Sequence, residues 1–412
     1  MLYLKRTEEQ DSSSDIVLNI LLFLICPALA IFAIVVQAYF GRYKSSSMTI
    51  LSLSIAMVAL FTPPFADIYR HTLLYFYFEN HETSIFQTNG NDFIFYTLNN
   101  IFAKNKIPFE YISFLFVFIC YQISFYLFRT VLLVPNATKW SRSMAFCVFL
   151  CFLLMVPFIA IINGLRMATA AYIALYAWYN IYSRHNIKGI VFYVVALCMH
   201  FGAWLFLPIM LCSLFYNRMK INRAWFFVVS IIFIAAGGFL LQVLPVSFIE
   251  AISLDMAVDG YMVNSDERFG DTMSFNGFVA MFLERFPLVA VIFLIIRNKL
   301  RVDANVASLI YIVIWLSLIY YPFTVLFQRY AFFAVPLLIF LCISSEKGCA
   351  NCFYSTNVKV LLLSCIVMTV SYMYGYRAAF TNTQFYKMFQ PSVITIPSTN
   401  THDNFRNALI PK

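Results

Sequence analysis

Long apolar runs separated by short polar connections fill most of this chain. A bilayer core is crossed by about 20 residues of helix, and the runs have about that length. They cover residues 16–40, 45–62, 109–134, 143–162, 167–183, 224–244, 277–296, 304–321, 329–345 and 360–376. The pattern predicts an all-α polytopic membrane protein with about ten transmembrane helices.

One apolar stretch, residues 189–217, does not fit this pattern. It has 29 residues between two basic connections, whereas two full crossings need about 40. We therefore expect either a short re-entrant pair of half-helices or two short helices that meet below the outer surface. In both cases His200 lies at the turn, where backbone within a membrane must be buried in protein or line a wet cavity.

Composition supports the membrane class. The 412 residues are 62% hydrophobic and 11% charged, and the mean hydropathy is +0.79, whereas a soluble domain carries about 25% charged residues. The first run is too long for a signal peptide and has no small-residue cleavage site, so we expect it to be retained as a span. The chain has no internal repeat, and we treat residues 1–412 as a single integral membrane domain.

Basic residues concentrate in the short connections, where the only acids are Asp303 and Glu346. The basic residues are Arg42, Lys44, Lys139, Arg142, Arg184, Lys188, Arg218, Lys220, Arg223, Arg297, Lys299, Arg301, Lys347 and Lys359. By the positive-inside rule these connections are cytoplasmic. The acidic connections 63–108 and 245–276, the tail 377–412 and, by parity, the N-terminus are then predicted to face outward. The net charge of +9 is thus an orientation signal, and we expect no nucleic-acid partner.

The sequence offers little for a metal or a cofactor. Cys349 and Cys352 form a lone CxxC pair in a predicted cytoplasmic loop, where reduced thiols are the rule. There is no DxD-like metal motif and no glycine-rich phosphate loop. We therefore expect a metal-independent protein without a cofactor.

The stretch from Asn163 to Ala171 carries the main candidate, Arg166, between two apolar runs. A guanidinium near hydrocarbon costs at least a few kcal/mol. Arg166 therefore either snorkels from a helix end or faces a polar cavity or an anionic partner. The small residues after it would let another helix or a ligand come close.

Three other ionisable residues occupy similar membrane-edge positions. Asp67 follows a helix stopped by two prolines; it is either a base with a raised pKa or an ordinary helix cap with Arg70 as a partner. His200 is either a base or an anion-binding group, or it is hydrogen-bonded to a neighbouring carbonyl. Arg329 and Arg166 would together suit a diphosphate, or they are structural arginines near lipid headgroups.

The order of these residues resembles the EpsG family of polysaccharide polymerases, which overlaps with the Wzy-type O-antigen polymerases. The matching positions are Asp67 with Tyr69, Gly164 to Arg166, His200, and Arg329 with Tyr330. The resemblance spans roughly residues 16–390.

The resemblance implies a fold similar to that of GT-C glycosyltransferases and an inner-membrane enzyme active at the periplasmic face. Such an enzyme joins O-antigen or related repeat units that are linked to undecaprenyl diphosphate; membrane lipids and a chain-length regulator are the other expected partners. Asp67 or His200 would be the base. The substrate-binding residues would be Arg166, Arg329, Tyr69, Arg70, Tyr330 and Arg268, the last of these in loop 245–276, which is either a mobile lid or a solvated connection.

Two other functions stay open at this point. An O-antigen ligase also uses arginines and a histidine on the outer side, although ligases usually have a larger outer loop between late spans. A flippase or transporter would need polar residues along a path that reaches the cytoplasmic side, whereas the candidates here lie toward the outside.

Overall fold

A computed structural model describes residues 13–81, 92–133, 140–155, 157–184, 186–215, 220–243, 279, 282–297, 303–320, 324–344 and 352–406. These residues are organised in helices, and no strand occurs among them. This confirms the prediction of an all-α protein.

The helices follow one another closely along the chain. The first six are α1 (Ser13–Ile25), α2 (Pro27–Tyr39), α3 (Ser45–Ala56), α4 (Ala66–Asn80), α5 (Phe93–Lys104) and α6 (Glu110–Tyr126). The next six are α7 (Arg142–Leu154), α8 (Phe158–Asn163), α9 (Leu165–Arg184), α10 (Lys188–Met199), α11 (Leu207–Leu214) and α12 (Arg223–Val243). The last seven are α13 (Phe286–Ile296), α14 (Ala304–Tyr320), α15 (Thr324–Ser344), α16 (Cys352–Gly375), α17 (Arg377–Asn382), α18 (Ser392–Thr395) and α19 (Thr401–Arg406).

Four helical segments of the described chain are long and apolar enough to cross a membrane: Glu110–Leu133, Arg142–Asn163, Phe327–Ser344 and Asn357–Gly375. Tighter or wider turns extend some helices, with 3₁₀ turns at Met57–Phe61 after α3 and π turns at Leu127–Leu133 after α6. Further apolar helices are shorter, at 10 to 17 residues. Apolar helices of this length and number are those of a membrane protein.

The prediction of one span over residues 16–40 is wrong, because α1 and α2 fold back on each other at Cys26. The side chains of Asn19 and Gln37 exchange hydrogen bonds of 3.0 Å, whereas 18 residues of continuous helix would separate them by about 27 Å. At the open end of the hairpin, Asp15 lies 3.2 Å from Lys44. Pro27 occupies the first turn of α2, where proline is favourable, so in the sequence it is compatible with the start of a new helix as well as with a kink in one long helix.

The hairpin also changes the expected direction of the N-terminal helix. Its start lies beside Lys44 and Arg42, which form the first basic connection. The start of α1 is therefore at the same end of the molecule as that connection. Parity counted the hairpin as one crossing and therefore placed the N-terminus and this connection on opposite sides, which is wrong for the start of α1. The side of the membrane that each of them faces stays a prediction.

The stretch 189–217 forms two short helical pieces that meet at His200. The first is α10 and the second is the 3₁₀ segment Phe201–Phe206 continued by α11. His200 itself is extended, with φ −155° and ψ 125°, and the Tyr193 hydroxyl ties the two pieces together by donating to the Ala203 carbonyl at 2.9 Å. This agrees with the expected pair of short helices.

The buried centre of the protein is α9, which packs against α6, α10 and α15. Along α9 lie small residues that are fully buried, namely Ala168, Ala170, Ala171, Ala174 and Ala177. The small residues after Arg166 were predicted to let another helix or a ligand come close, and in the structure other helices pack against α9. Gly189 of α10 comes so near that an added Cβ would lie 2.8 Å from the Ala177 carbonyl oxygen.

The predicted outer tail after residue 376 is a packed segment up to residue 406. Its last helix, α19, supplies Thr401 and Asn404, which donate hydrogen bonds of 2.7 and 2.9 Å to the buried carboxylate of Glu110. The rings of Tyr69 on α4 and Phe405 on α19 stack at 5.3 Å. The tail thus supports the helix that carries Asp67. The predicted loop 245–276, with Arg268, and the CxxC side chains lie outside the described residues.

Candidate active site

The structure brings together the four candidates Asp67, Arg166, His200 and Arg329. They come from four different parts of the chain: the start of α4, the first turn of α9, the junction after α10 and the second turn of α15. Asp92, immediately before α5, connects them. We call Asp67, His71, Asp92, Arg166, His200 and Arg329 the ion cluster.

Asp92 is the centre of the ion cluster and is 2% exposed. Its Oδ2 accepts a hydrogen bond of 2.5 Å from Arg166 Nη1, and its Oδ1 lies 2.8 Å from His200 Nδ1. The backbone N–H of Phe201 also donates to Oδ1, at 3.0 Å. Although burial raises the pKa of Asp92, the hydrogen bond with His200 and the Arg166 charge outweigh burial and hold this pKa below its usual range.

His200 is held at both ring nitrogens and is 2% exposed. Arg329 Nη1 lies 3.1 Å from Nε2. An arginine only donates, so Nε2 is the acceptor and Nδ1 carries the proton that bonds to Asp92. This pair of contacts fixes the tautomer and the orientation of the ring.

Asp67 lies on the other side of Arg166. Its Oδ2 is 3.2 Å from His71 Nε2, one helical turn further along α4, and 3.6 Å from Arg166 Nη2. Ala66, which begins α4, has a positive φ of 43°, a conformation uncommon for alanine. The chain after the two prolines therefore turns sharply, and Asp67 is in the first turn of α4.

The electrostatics of Asp67 differ from the expectation of a raised pKa. Burial does raise the pKa of Asp67, but the hydrogen bond with His71 and the charges of Arg166 and Arg329 outweigh it and keep the pKa below its usual range. Burial and the nearby Arg166 charge lower the pKa of His71. Asp67 is thus a carboxylate beside a neutral histidine, and it is a weaker base than the sequence suggested.

Aromatic rings enclose the guanidinium of Arg166. The group lies 5.5 Å from the ring centre of Phe95 and 5.9 Å from that of Tyr96, and Nη1 donates to the Tyr96 hydroxyl at 3.2 Å. Its side chain is 12% exposed. Arg166 is therefore paired with two carboxylates inside the protein, and it does not snorkel from a helix end.

Tyr69, Arg70 and Tyr330, which were also predicted to bind substrate, lie away from the ion cluster. Tyr69 faces the C-terminal helix, as described above, and Arg70 is exposed. Tyr330 follows Arg329 in the chain but is fully buried and donates to the Val313 carbonyl at 3.2 Å. The partner of Asp67 on α4 is His71, whereas Arg70 was the predicted one.

Asp92, His71 and Tyr96 were not among the predicted site residues. Asp92 appeared in the sequence only as one of several acids in an outer connection. Its partners Arg166 and His200 are 74 and 108 residues away, and a single sequence gives no sign of pairing at that distance. A usable signal was present for His71, because it is four residues after Asp67 on a helix.

The helices and the ion cluster define an all-helical membrane protein with ionised groups buried among several of its helices. The chain belongs to the EpsG family, a family of Wzy-type polymerase-like membrane proteins, whose family model matches residues 45–389. The match includes every member of the ion cluster. A comparison with curated proteins found no match, and a comparison with solved structures found none either.

Proposed function

We propose that this protein is a polymerase of lipid-linked oligosaccharide repeat units. It transfers the growing glycan from undecaprenyl diphosphate to a new lipid-linked unit at the periplasmic face of the inner membrane. The product is O-antigen or a related surface polysaccharide. Family membership supports a role in polysaccharide biosynthesis, and the observation that carries the specific proposal is the ion cluster.

The ion cluster suits the departure of a diphosphate. In the reaction, an acceptor hydroxyl attacks the anomeric carbon, the bond from this carbon to the diphosphate oxygen breaks, and its electron pair leaves with the diphosphate. Arg329 is half-buried and donates to a neutral histidine. A phosphate oxygen would be a stronger acceptor for its guanidinium. Arg166 adds a second fixed positive charge, which needs no reorganisation during the reaction.

The proton of the attacking hydroxyl needs an acceptor, and Asp67 and His200 are the two candidates. The geometry favours His200, because Asp92 orients its ring and Arg329 occupies its Nε2 lone pair. When Arg329 turns toward a bound diphosphate, that lone pair becomes available to the hydroxyl. Asp67 is the weaker base and, with Asp92, balances the charge of Arg166.

A ligase and a flippase remain the alternative functions, and a gel of the surface glycan distinguishes a polymerase from both of them. Cells that lack this gene receive wild type, Arg329→Ala or Arg297→Ala, and protein levels are compared by immunoblot. Arg297 is an exposed arginine at the C-terminal end of α13, in a predicted cytoplasmic connection, and serves as the matched control.

A polymerase predicts that wild type and Arg297→Ala restore the ladder, whereas Arg329→Ala leaves core with a single repeat unit. Core without any repeat would instead favour a flippase or a ligase. A normal ladder in the deletion strain would contradict the proposal.

A further inference from the structure

A small crevice lies beside α15, on a face adjacent to the one that carries Arg329 and its contact with His200. It is bounded by α15, by α16, by the break between α7 and α8, and by Glu284. Its polar members are Glu284, Gln328 and Tyr372, and its apolar members include Phe332, Met368 and Met155. None of these residues belongs to the ion cluster.

Glu284 is the ionisable group of this crevice. Gln328 Nε2 donates to Glu284 Oε2 at 3.4 Å. The neighbouring Arg285 directs its guanidinium to the Phe327 ring, 4.4 Å from the ring centre. Glu284 is half-buried. The phenols of Tyr372 and Tyr376 are the other titratable groups near it.

Two contacts join the crevice to the ion cluster. Gln328 and Arg329 are consecutive residues on α15. The Gln328 side chain bonds to Glu284 in the crevice, and the Arg329 side chain bonds to His200 in the ion cluster. Phe332, in the crevice wall, lies against Gly164, where an added Cβ would be 2.9 Å from the ring. Gly164 is two residues before Arg166. A ligand that reaches both sites would therefore cross the first turns of α15.

The crevice contains a carboxyl group, an amide and aromatic rings, which are the kinds of side chain that can bind a sugar. A carboxylate accepts hydrogen bonds from hydroxyl groups, and an amide both accepts from them and donates to them. The rings of Phe332 and Tyr372 provide apolar faces for a sugar. The Glu284 carboxyl oxygens can accept hydrogen bonds from a sugar hydroxyl. The crevice is small and therefore suits the edge of one sugar better than a long prenyl chain.

We propose that Glu284 and Gln328 form a sugar subsite, which binds a hydroxyl group of the lipid-linked glycan next to the diphosphate site at Arg329. The inference rests on the proposed function and adds to it the residues that recognise the glycan. Glu284 and Gln328 bind and position the sugar, while the proton transfer stays with the ion cluster.

The test uses the full-length protein in detergent with lipid-linked repeat units extracted from the deletion strain. Initial rates of polymer formation give KM and kcat for wild type, Glu284→Gln, Gln328→Leu, Arg329→Ala and the exposed control Asp403→Asn. Two inhibitors separate the parts of the substrate. One is the delipidated glycan, released from the same units by mild acid, and the other is undecaprenyl phosphate.

Loss of a hydrogen bond to a charged group weakens binding about tenfold to hundredfold. We expect Glu284→Gln to raise KM and the inhibition constant of the delipidated glycan by about that factor, with kcat changed less than threefold. Gln328→Leu should act in the same direction. Inhibition by undecaprenyl phosphate should be unchanged, and so should the thermal unfolding midpoint of Glu284→Gln, since glutamine has the same shape.

Three results would overturn the sugar subsite. They are an unchanged KM in both crevice variants, a fall in kcat alone, or weaker inhibition by undecaprenyl phosphate, which would mean that the crevice holds the lipid. If wild type makes no polymer from the extracted units, the proposed function itself fails. A loss of activity in Arg329→Ala with unaltered crevice variants would refute the subsite alone.

Discussion

Two groups of buried polar side chains lie at opposite ends of the molecule, and they differ in charge. The first is the ion cluster. The second, which we call the amide cluster, consists of Asn19, Gln37 and Ser47, in which Asn19 also donates to the Ser47 hydroxyl at 2.9 Å. The amide cluster joins α1, α2 and α3 close to the basic connection at Lys44.

The two clusters make different demands on the fold. Amide and hydroxyl groups become inexpensive to bury once they are hydrogen-bonded to one another, and the amide cluster therefore has a sufficient explanation in helix packing. Buried ion pairs cost several kcal/mol per ion in desolvation, and apolar side chains of similar size stabilise a fold equally well or better. Packing alone thus does not explain the ion cluster, and this is a reason to propose a chemical role for it.

Asp92→Leu is expected to have the largest effect, because it removes the partner of both Arg166 and His200. An uncompensated buried charge costs about 3–5 kcal/mol, so the thermal unfolding midpoint in detergent should fall clearly. The glycan ladder should disappear. Asp92→Asn, which keeps the shape, should lose the ladder with a smaller fall in the midpoint. A normal ladder in both variants would mean that the ion cluster is structural.

Arg166→Met added to Asp92→Leu separates stability from activity. With both charges gone, about 1–4 kcal/mol of the lost stability should return, because the Arg166 guanidinium is no longer buried without its closest carboxylate. The ladder should stay absent at matched protein levels. If the double variant regained the ladder, the charge of Arg166 would have no role in the reaction.

Gly164→Ala is expected to have an intermediate effect, by pressing a methyl group into the Phe332 ring. Overpacking of this kind costs about 1–3 kcal/mol, and the strain lies two residues from Arg166. We expect a lower unfolding midpoint and a weaker ladder. Phe332→Leu combined with Gly164→Ala should recover part of the midpoint, and failure to do so would place the strain elsewhere.

The sequence was a good guide to the helices and to the identity of several cluster residues. Apolar runs of fixed length predict helices because each run must satisfy its own backbone in lipid. An arginine or histidine within such runs stands out by its cost. These two arguments were enough to select Arg166 and His200 and to predict the break at His200.

Other features could not be predicted from the apolar runs. They depend on where the chain reverses, on the side of a helix to which a side chain points, or on partners that are distant in the sequence. The hairpin at Cys26 looks like one span, although Asn19 and Gln37 within it were a sign of polar pairing. Tyr330 was selected as the neighbour of Arg329, but consecutive helical residues point about 100° apart. Asp92 is recognisable as part of the site only once α5 has been packed against α9 and α10.

Asn19→Leu is expected to have the smallest effect on the glycan ladder, and it tests the amide cluster. The substitution leaves the Gln37 amide without its two bonds to Asn19, which costs about 1–3 kcal/mol for a buried polar group. Gln37→Met added to Asn19→Leu should return most of this stability, because both partners are then apolar. The glycan ladder should be normal in both variants at matched protein levels, since α1 and α2 lack any member of the ion cluster. A lost ladder in the stable double variant would show that polar groups at the basic end also take part in the reaction, and the division between a structural cluster and a chemical one would fail.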